Sequence, residues 1–271
     1  KPEKIATLAL GYAKGLVPTG VKILTAGVDV QKDHFYFVIR GWGIGEESWL
    51  IREDRVESWQ DIIDALFITK YPSEHPGIEP FGVRLSCIDS GYRTDEVYAV
   101  CRKWRDIARP TKGKDFLSGV PFQLSHIDRH PATGKPIPGG LTLWHLDTNH
   151  FKDKVNRLVH TEPGSPGEWH LHAHISETYL NQFCAEHKII IRDRKTARAT
   201  EKWVAISSGA QAHYWDCEVY ATAAAEMMRV SMLREVDQDV VYKPGGHERR
   251  KKWLDAHSQW THKGKTSWIG R

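Results

Sequence analysis

The 271-residue sequence has only four cysteines, Cys87, Cys101, Cys184 and Cys217, and no two of them make a CxxC pair. That spacing argues against a zinc knot and fits reduced thiols in a cytosol-like compartment. No apolar run approaches the ~20 residues that span a bilayer, so no membrane partner is expected. The opening stretch, KPEKIATLALGYAKG, is too briefly apolar for a secretory signal. There is no Walker A loop. The single GKT, Gly264–Thr266, has Gln259 where the first glycine belongs and lies in a basic stretch, not between a strand and a helix. The Gly-rich string Gly41–Gly45 (GWGIG) leads into a strand rather than a helix N-terminus, which excludes a dinucleotide fingerprint. No internal repeat is visible.

What is present is unevenly distributed. The net charge is +4, yet Lys243–Arg271 alone holds eight Lys/Arg against two acids, a local +6 that leaves the rest of the chain near −2. A basic tail on a near-neutral body suits a polyanion or an acidic protein as partner, or a solvated, disordered end. Trp253, Trp260 and Trp268 interleave with that tail, where they suit base stacking or docking to a protein.

Periodicity places the elements. Residues 1–22 read as a linker that could hold a short amphipathic helix before the break at Gly20. Ile23–Val30 (ILTAGVDV) is a near-continuous apolar, β-branched run and reads as a central buried strand. A second strand alternates, with Phe35, Phe37 and Ile39 on one face and Tyr36, Val38 and Arg40 on the other. SWLI makes a third, so the chain opens with an antiparallel meander. Ser58 caps a helix running to Lys70, Val83–Ile88 is a strand ending at Asp89, and Thr94 caps the next helix. Pro and Gly dominate from Pro110 to Gly140. Beyond lie a strand (LTLWHL), a helix over Asn149–His160, a strand-like WHLHAH, a helix over Glu177–His187, the strand IIIR and a last helix, His213–Leu233. Interleaved strands and helices after an antiparallel opening predict a mixed α/β sheet flanked by helices.

Three acids carry the chemistry. Asp29 ends the first strand, Asp89 ends the fourth, and Asp216 opens the last helix. Each alone has a plain structural explanation. Asp29 could be bonded to backbone amides, Asp89 belongs to a turn-forming DSG, and Asp216 suits a helix N-terminus. Face analysis of the last helix assigns Glu218, Thr222, Glu226 and Arg229 to a solvated stripe and turns Asp216 inward, in line with Tyr220, Ala223 and Met227. Together, inward carboxylates suit two hard cations, Mg²⁺ or Mn²⁺, which can hold the attacking and leaving oxygens of a phosphoryl displacement. Three such acids on a mixed sheet with an antiparallel opening are what an RNase H-like nuclease needs. His213, three residues before Asp216, is a candidate fourth ligand or proton carrier. Lys112, Lys114 and the basic run Arg192, Arg194, Lys195 and Arg198 are candidates for gripping a DNA backbone. His170, His172 and His174 alternate as zinc ligands on one strand face would, but lack a fourth donor nearby.

The ordered strings GVDVQKD, GWGIGEESWLI, CIDSGYRTDEVYAVCR with ARPTKG, PGEWHLH and YWDCEVYATAAAE resemble the C-terminal nuclease domain of phage terminase large subunits of the GpA type, over roughly residues 15–230. The resemblance implies an RNase H-like endonuclease that cuts concatemeric double-stranded viral DNA during genome packaging in the host-cell cytoplasm. Its metal-binding acids would fall on Asp29, Asp89 and Asp216. The family's ATPase motor, the small terminase subunit and the portal would be its partners. On this reading residues 1–22 are the remnant of an interdomain linker, 23–236 the nuclease domain and 237–271 the basic tail, with the motor outside this sequence. The rivals are a junction resolvase or transposase of the same fold, and a non-catalytic DNA- or portal-docking domain.

Overall fold

The computed structural model describes residues 1–131, 133–192 and 199–235, and Lys1–Arg234 form one compact unit. The proposed tail, 237–271, lies outside the described residues. Helix α1 (Pro2–Ala6) precedes an antiparallel meander of β1 (Ile23–Val30), β2 (Phe35–Trp42) and β3 (Ser48–Val56). Helix α2 (Trp59–Ile63), continued by a π-helical turn over Asp64–Ile68, leads to β4 (Val83–Asp89), α3 (Thr94–Lys103) and β5 (Ala108–Lys114). A hairpin of β6 (Phe122–Arg129) and β7 (Pro136–Asp147) follows, then α4 (Thr148–Val159), β8 (Trp169–His170), α5 (Glu177–Phe183), β9 (Glu186–Arg192), β10 (Ala199–Ala205) and α6 (His213–Met227).

Among the described residues, eight strands form one mixed sheet in the order β6-β7-β5-β4-β1-β2-β3-β8, and β9 and β10 pair separately. β1 runs antiparallel to β2 and parallel to β4, β4 is parallel to β5, and β5 is parallel to β7. Both faces of the central strands are covered, so β2 is buried throughout. Its alternation decides which core each side chain enters. Tyr36, Val38 and Trp42 join the core shared with α4, α5 and α6, while Phe35, Phe37 and Ile39 join the one under α2 and α3. The same parity in β1 sends Leu24, Ala26 and Val28 to the α2/α3 side and leaves Thr25, Gly27 and Asp29 facing α6. Thr25 donates its hydroxyl to the Ala221 carbonyl of α6 at 2.9 Å. A Cβ on Gly27 would lie 1.9 Å from the Cys217 carbonyl oxygen, so only glycine lets α6 seat on β1.

Local chemistry explains the helix starts. Ser58 and Asp61 make a reciprocal capping box at α2, and Asp147 caps α4 by accepting from the His150 amide at 2.9 Å. Thr94 is not a cap. Arg93, in left-handed conformation, holds that position, while the Thr94 hydroxyl donates to the Ser90 carbonyl at 2.9 Å. The Pro- and Gly-rich stretch from Pro110 to Gly140 contributes β5 and the β6–β7 hairpin, and so extends the sheet at its edge. Residues 1–22 pack onto the domain. Ile5, Tyr12, Val17 and Val21 are buried, and the strap follows the β8 edge through Leu10 N–H to Leu171 O and Ala173 N–H to Tyr12 O. No described helix is long and apolar enough to cross a membrane.

Candidate metal centre

The strand parity that turns Asp29 toward α6 also turns Asp89 there, because Leu85 and Cys87 of β4 lie in the α6-side core. β1 and β4 are in register to Val28↔Ile88, so Asp29 and Asp89 are the next residues on two adjacent parallel strands. Both therefore sit at the carboxyl end of the parallel part of the sheet, where α/β sheets open a crevice for ligands. Asp216, in the first turn of α6, completes the group.

Each carboxylate is held differently. Asp29 is buried and its Oδ2 accepts from Gln31 Nε2 at 2.8 Å and meets His213 Nδ1 at 2.7 Å. The His213 ring stacks on Tyr36 with centroids 4.6 Å apart, which fixes its plane. Asp89 accepts the Gly91 amide at 3.1 Å. Burial, followed by the Asp29 charge, pushes its pKa up to about 6, against the amide of Gly91 and a hydrogen bond from Tyr220. Asp216 is pushed up to about 7, first by burial and then by the charges of Asp29, Glu186 and Asp89, with Lys152 opposing. These shared electrostatics put the three aspartates in one field. Their carboxylates do not all lie within 4.8 Å of one another; among the described residues the group that does is Glu47, Glu168 and His170, on the far side of β3.

Glu218 departs from expectation. It is fully buried, not solvated, because α6 is covered on every side between the sheet and α4 and α5. Arg40 of β2 grips it with two hydrogen bonds, Nε to Oε2 at 2.7 Å and Nη2 to Oε1 at 2.9 Å, and Tyr179 donates to Oε1 at 2.6 Å. Arg40 also lies 3.3 Å over the Trp169 ring. The histidine run does not build one face either. β8 ends at His170, which pairs with Glu47 at 2.9 Å, buried His172 pairs with Glu53 at 2.6 Å, and His174 is exposed.

Of the expected DNA-gripping residues, Lys112, Lys114 and Arg192 are among the described residues. Lys112 and Lys114 are exposed in β5, where the Asp89↔Thr111 register gives Thr111 the aspartate face and sends both lysines to the opposite one. Arg192 is exposed at the end of β9, while Arg194, Lys195 and Arg198 lie outside the described residues. Two groups beside Asp216 had no local signal in the sequence. Lys152 of α4 reaches 3.8 Å from Asp216 Oδ1, and Glu186 at the start of β9 meets Lys152 Nζ at 2.6 Å.

Comparison with known proteins gives the family. Residues 1–237 match the one described as terminase large subunit gpA, endonuclease domain. The chain is also similar to the terminase large subunit of Escherichia phage lambda, at 26% identity over 243 residues, covering 80% of this chain. It spans about a third, 34%, of that relative's length. No solved structure matches it.

Proposed function

The chain belongs to the gpA endonuclease-domain family of terminase large subunits, and on that premise we propose that it is a metal-dependent endonuclease that cuts concatemeric double-stranded viral DNA during genome packaging. The observation that carries this reading is the convergence of Asp29, Asp89 and Asp216, from two parallel strand ends and one helix, with too little positive charge to balance them. An RNase H-like fold is supported by the central strand order β5-β4-β1-β2-β3, with its antiparallel meander and parallel β1, β4 and β5.

The donor set is all oxygen, which fits Mg²⁺ or Mn²⁺ better than softer ions. Asp29, Asp89 and Asp216 would hold two such ions. When bound, these supply Lewis acidity and charge stabilisation for in-line hydrolysis of a phosphodiester. The protein's part is orientation. Gln31 and His213 fix Asp29, the Gly91 amide fixes Asp89, and Lys152 steadies Asp216. His213 stands where it can steady Asp29 or move a proton at the edge of the group. Arg192, Arg194, Lys195 and Arg198 would hold the duplex backbone with little reading of bases, and Lys112 and Lys114, turned to the other sheet face, would reach only duplex that continues beyond the cut. The ATPase motor, the small terminase subunit and the portal would be its partners in packaging, and residues 237–271 a basic docking tail.

The test is nicking of supercoiled plasmid by the purified chain in Mn²⁺. Cutting should disappear in EDTA and in Asp29→Ala and Asp216→Ala proteins that still melt cooperatively. Cutting retained by either variant would remove these acids from the mechanism, and cutting in EDTA would remove the metal.

A further inference from the structure

Lys152 lies 2.6 Å from Glu186 and 3.8 Å from Asp216, so one ammonium is divided between two carboxylates at the rim of the aspartate group. Three elements meet to make this contact: α4 brings the lysine, the start of β9 the glutamate, and α6 the aspartate. Glu186 is held from a second side, because Trp215 Nε1 donates to the same Oε2 at 3.2 Å. The lysine side chain is 12% exposed, too little for solvent to screen it fully from its neighbours. Lys112 and Lys114, the cations expected near the site, are turned to the other face of the sheet. The ammonium at Asp216 is therefore Lys152.

We propose that Lys152, drawn toward Glu186, is a positioning residue that fixes the Asp216 carboxylate and sets how tightly the aspartate group takes a divalent cation. This rests on the reading of Asp29, Asp89 and Asp216 as a cation site. An ammonium near a carboxylate ligand repels an incoming dication, and at separations of a few ångströms the repulsion is worth on the order of tenfold in affinity even when solvent-screened. Glu186 works the other way. It adds negative charge to the rim and takes a share of the ammonium, leaving Asp216 more available. The two residues form one pair in space and have opposite effects on the site.

Mn²⁺ is titrated calorimetrically into the 271-residue chain without DNA, with melting curves recorded on the same samples. Lys152→Met should bind Mn²⁺ on the order of tenfold more tightly, and Glu186→Gln should bind it more weakly by a similar factor. Lys152→Arg should stay within about twofold of the unsubstituted chain because the charge is kept. Lys152→Gln serves where the methionine variant folds poorly, since its amide can still reach Glu186. A pair with only a structural role lowers the melting temperature in both variants and moves Mn²⁺ affinity in the same direction, or not at all. Either of those results overturns the proposal while leaving the metal centre standing. Absence of Mn²⁺ binding by the unsubstituted chain would overturn the metal centre itself, and the role of Lys152 with it.

Discussion

Glu218 and Asp216 stand two residues apart on α6, and their surroundings differ in exposure and in charge balance. Glu218 meets a fully buried guanidinium in bidentate geometry and a tyrosine hydroxyl, so its negative charge is matched inside the protein. Asp216 belongs to a group of three aspartates that shares an offset lysine and one histidine. A matched buried pair is tolerated as architecture, and breaking it is costly. The raised pKa values of Asp89 and Asp216 mark an unmet demand for positive charge, as at functional sites. Glu218 is fully covered while about a third of the Asp216 side chain is exposed, and each has one cation beside it; what sets them apart electrostatically is that Asp216 shares its cation with other carboxylates.

The largest effect that would sharpen this contrast is on cleavage. Asp29→Ala and Asp216→Ala should each slow plasmid nicking by roughly a thousandfold or more, about 4 kcal/mol of barrier, with little loss of stability. Glu218→Ala should do the reverse. It leaves Arg40 charged and unpaired, and chemical denaturation should register a loss of about 3–5 kcal/mol. A stable Glu218→Ala protein that cannot cut would break the comparison. Gly27→Ala forces α6 away from β1 and should cost about 1–3 kcal/mol, with cutting reduced because Asp216 shifts relative to Asp29.

The smallest effect is on pH dependence without metal. A carboxyl group whose folded-state pKa is raised binds its proton more tightly in the folded chain, so stability falls as pH rises from the unfolded value near 4 to the folded one. For Asp216 that window closes at about 7. In EDTA, Asp216→Asn should therefore melt above the unsubstituted chain at pH 8, with the gap narrowing as the pH falls from 7 toward 4. A gap independent of pH would show that Asp216 is already balanced, as Glu218 is.

The meander was legible because strand alternation reports directly on the sheet's two faces, and Tyr36/Val38 against Phe35/Phe37 separated as the pattern requires. The strand ends that carry Asp29 and Asp89 follow from the same signal. The LTLWHL run of β7 was legible, but its hairpin partner β6 was not. That strand lies at the sheet edge and is mostly exposed, so little apolar patterning marks it. Glu218 was misassigned because Glu218, Thr222 and Glu226 do recur at helical spacing, which normally marks a wet face. The partner that overrides this, Arg40, lies 178 residues away and leaves no local trace. Lys152 and Glu186 were missed for the same reason: they become neighbours of Asp216 only when α4 and β9 pack beside α6.

Gly27 has a consequence for how freely the sequence can drift. The gap between Asp29 and Asp216 is set where the α6 main chain rests on β1, with the Cys217 carbonyl and the Ala221 amide against the Gly27 α-carbon. Beyond the Tyr220 β-carbon, which also meets this contact, α6 side chains can exchange for others of similar volume and leave that ruler unchanged. A chain built this way can replace many of its residues and keep the spacing of its acids, so long as one position stays without a β-carbon.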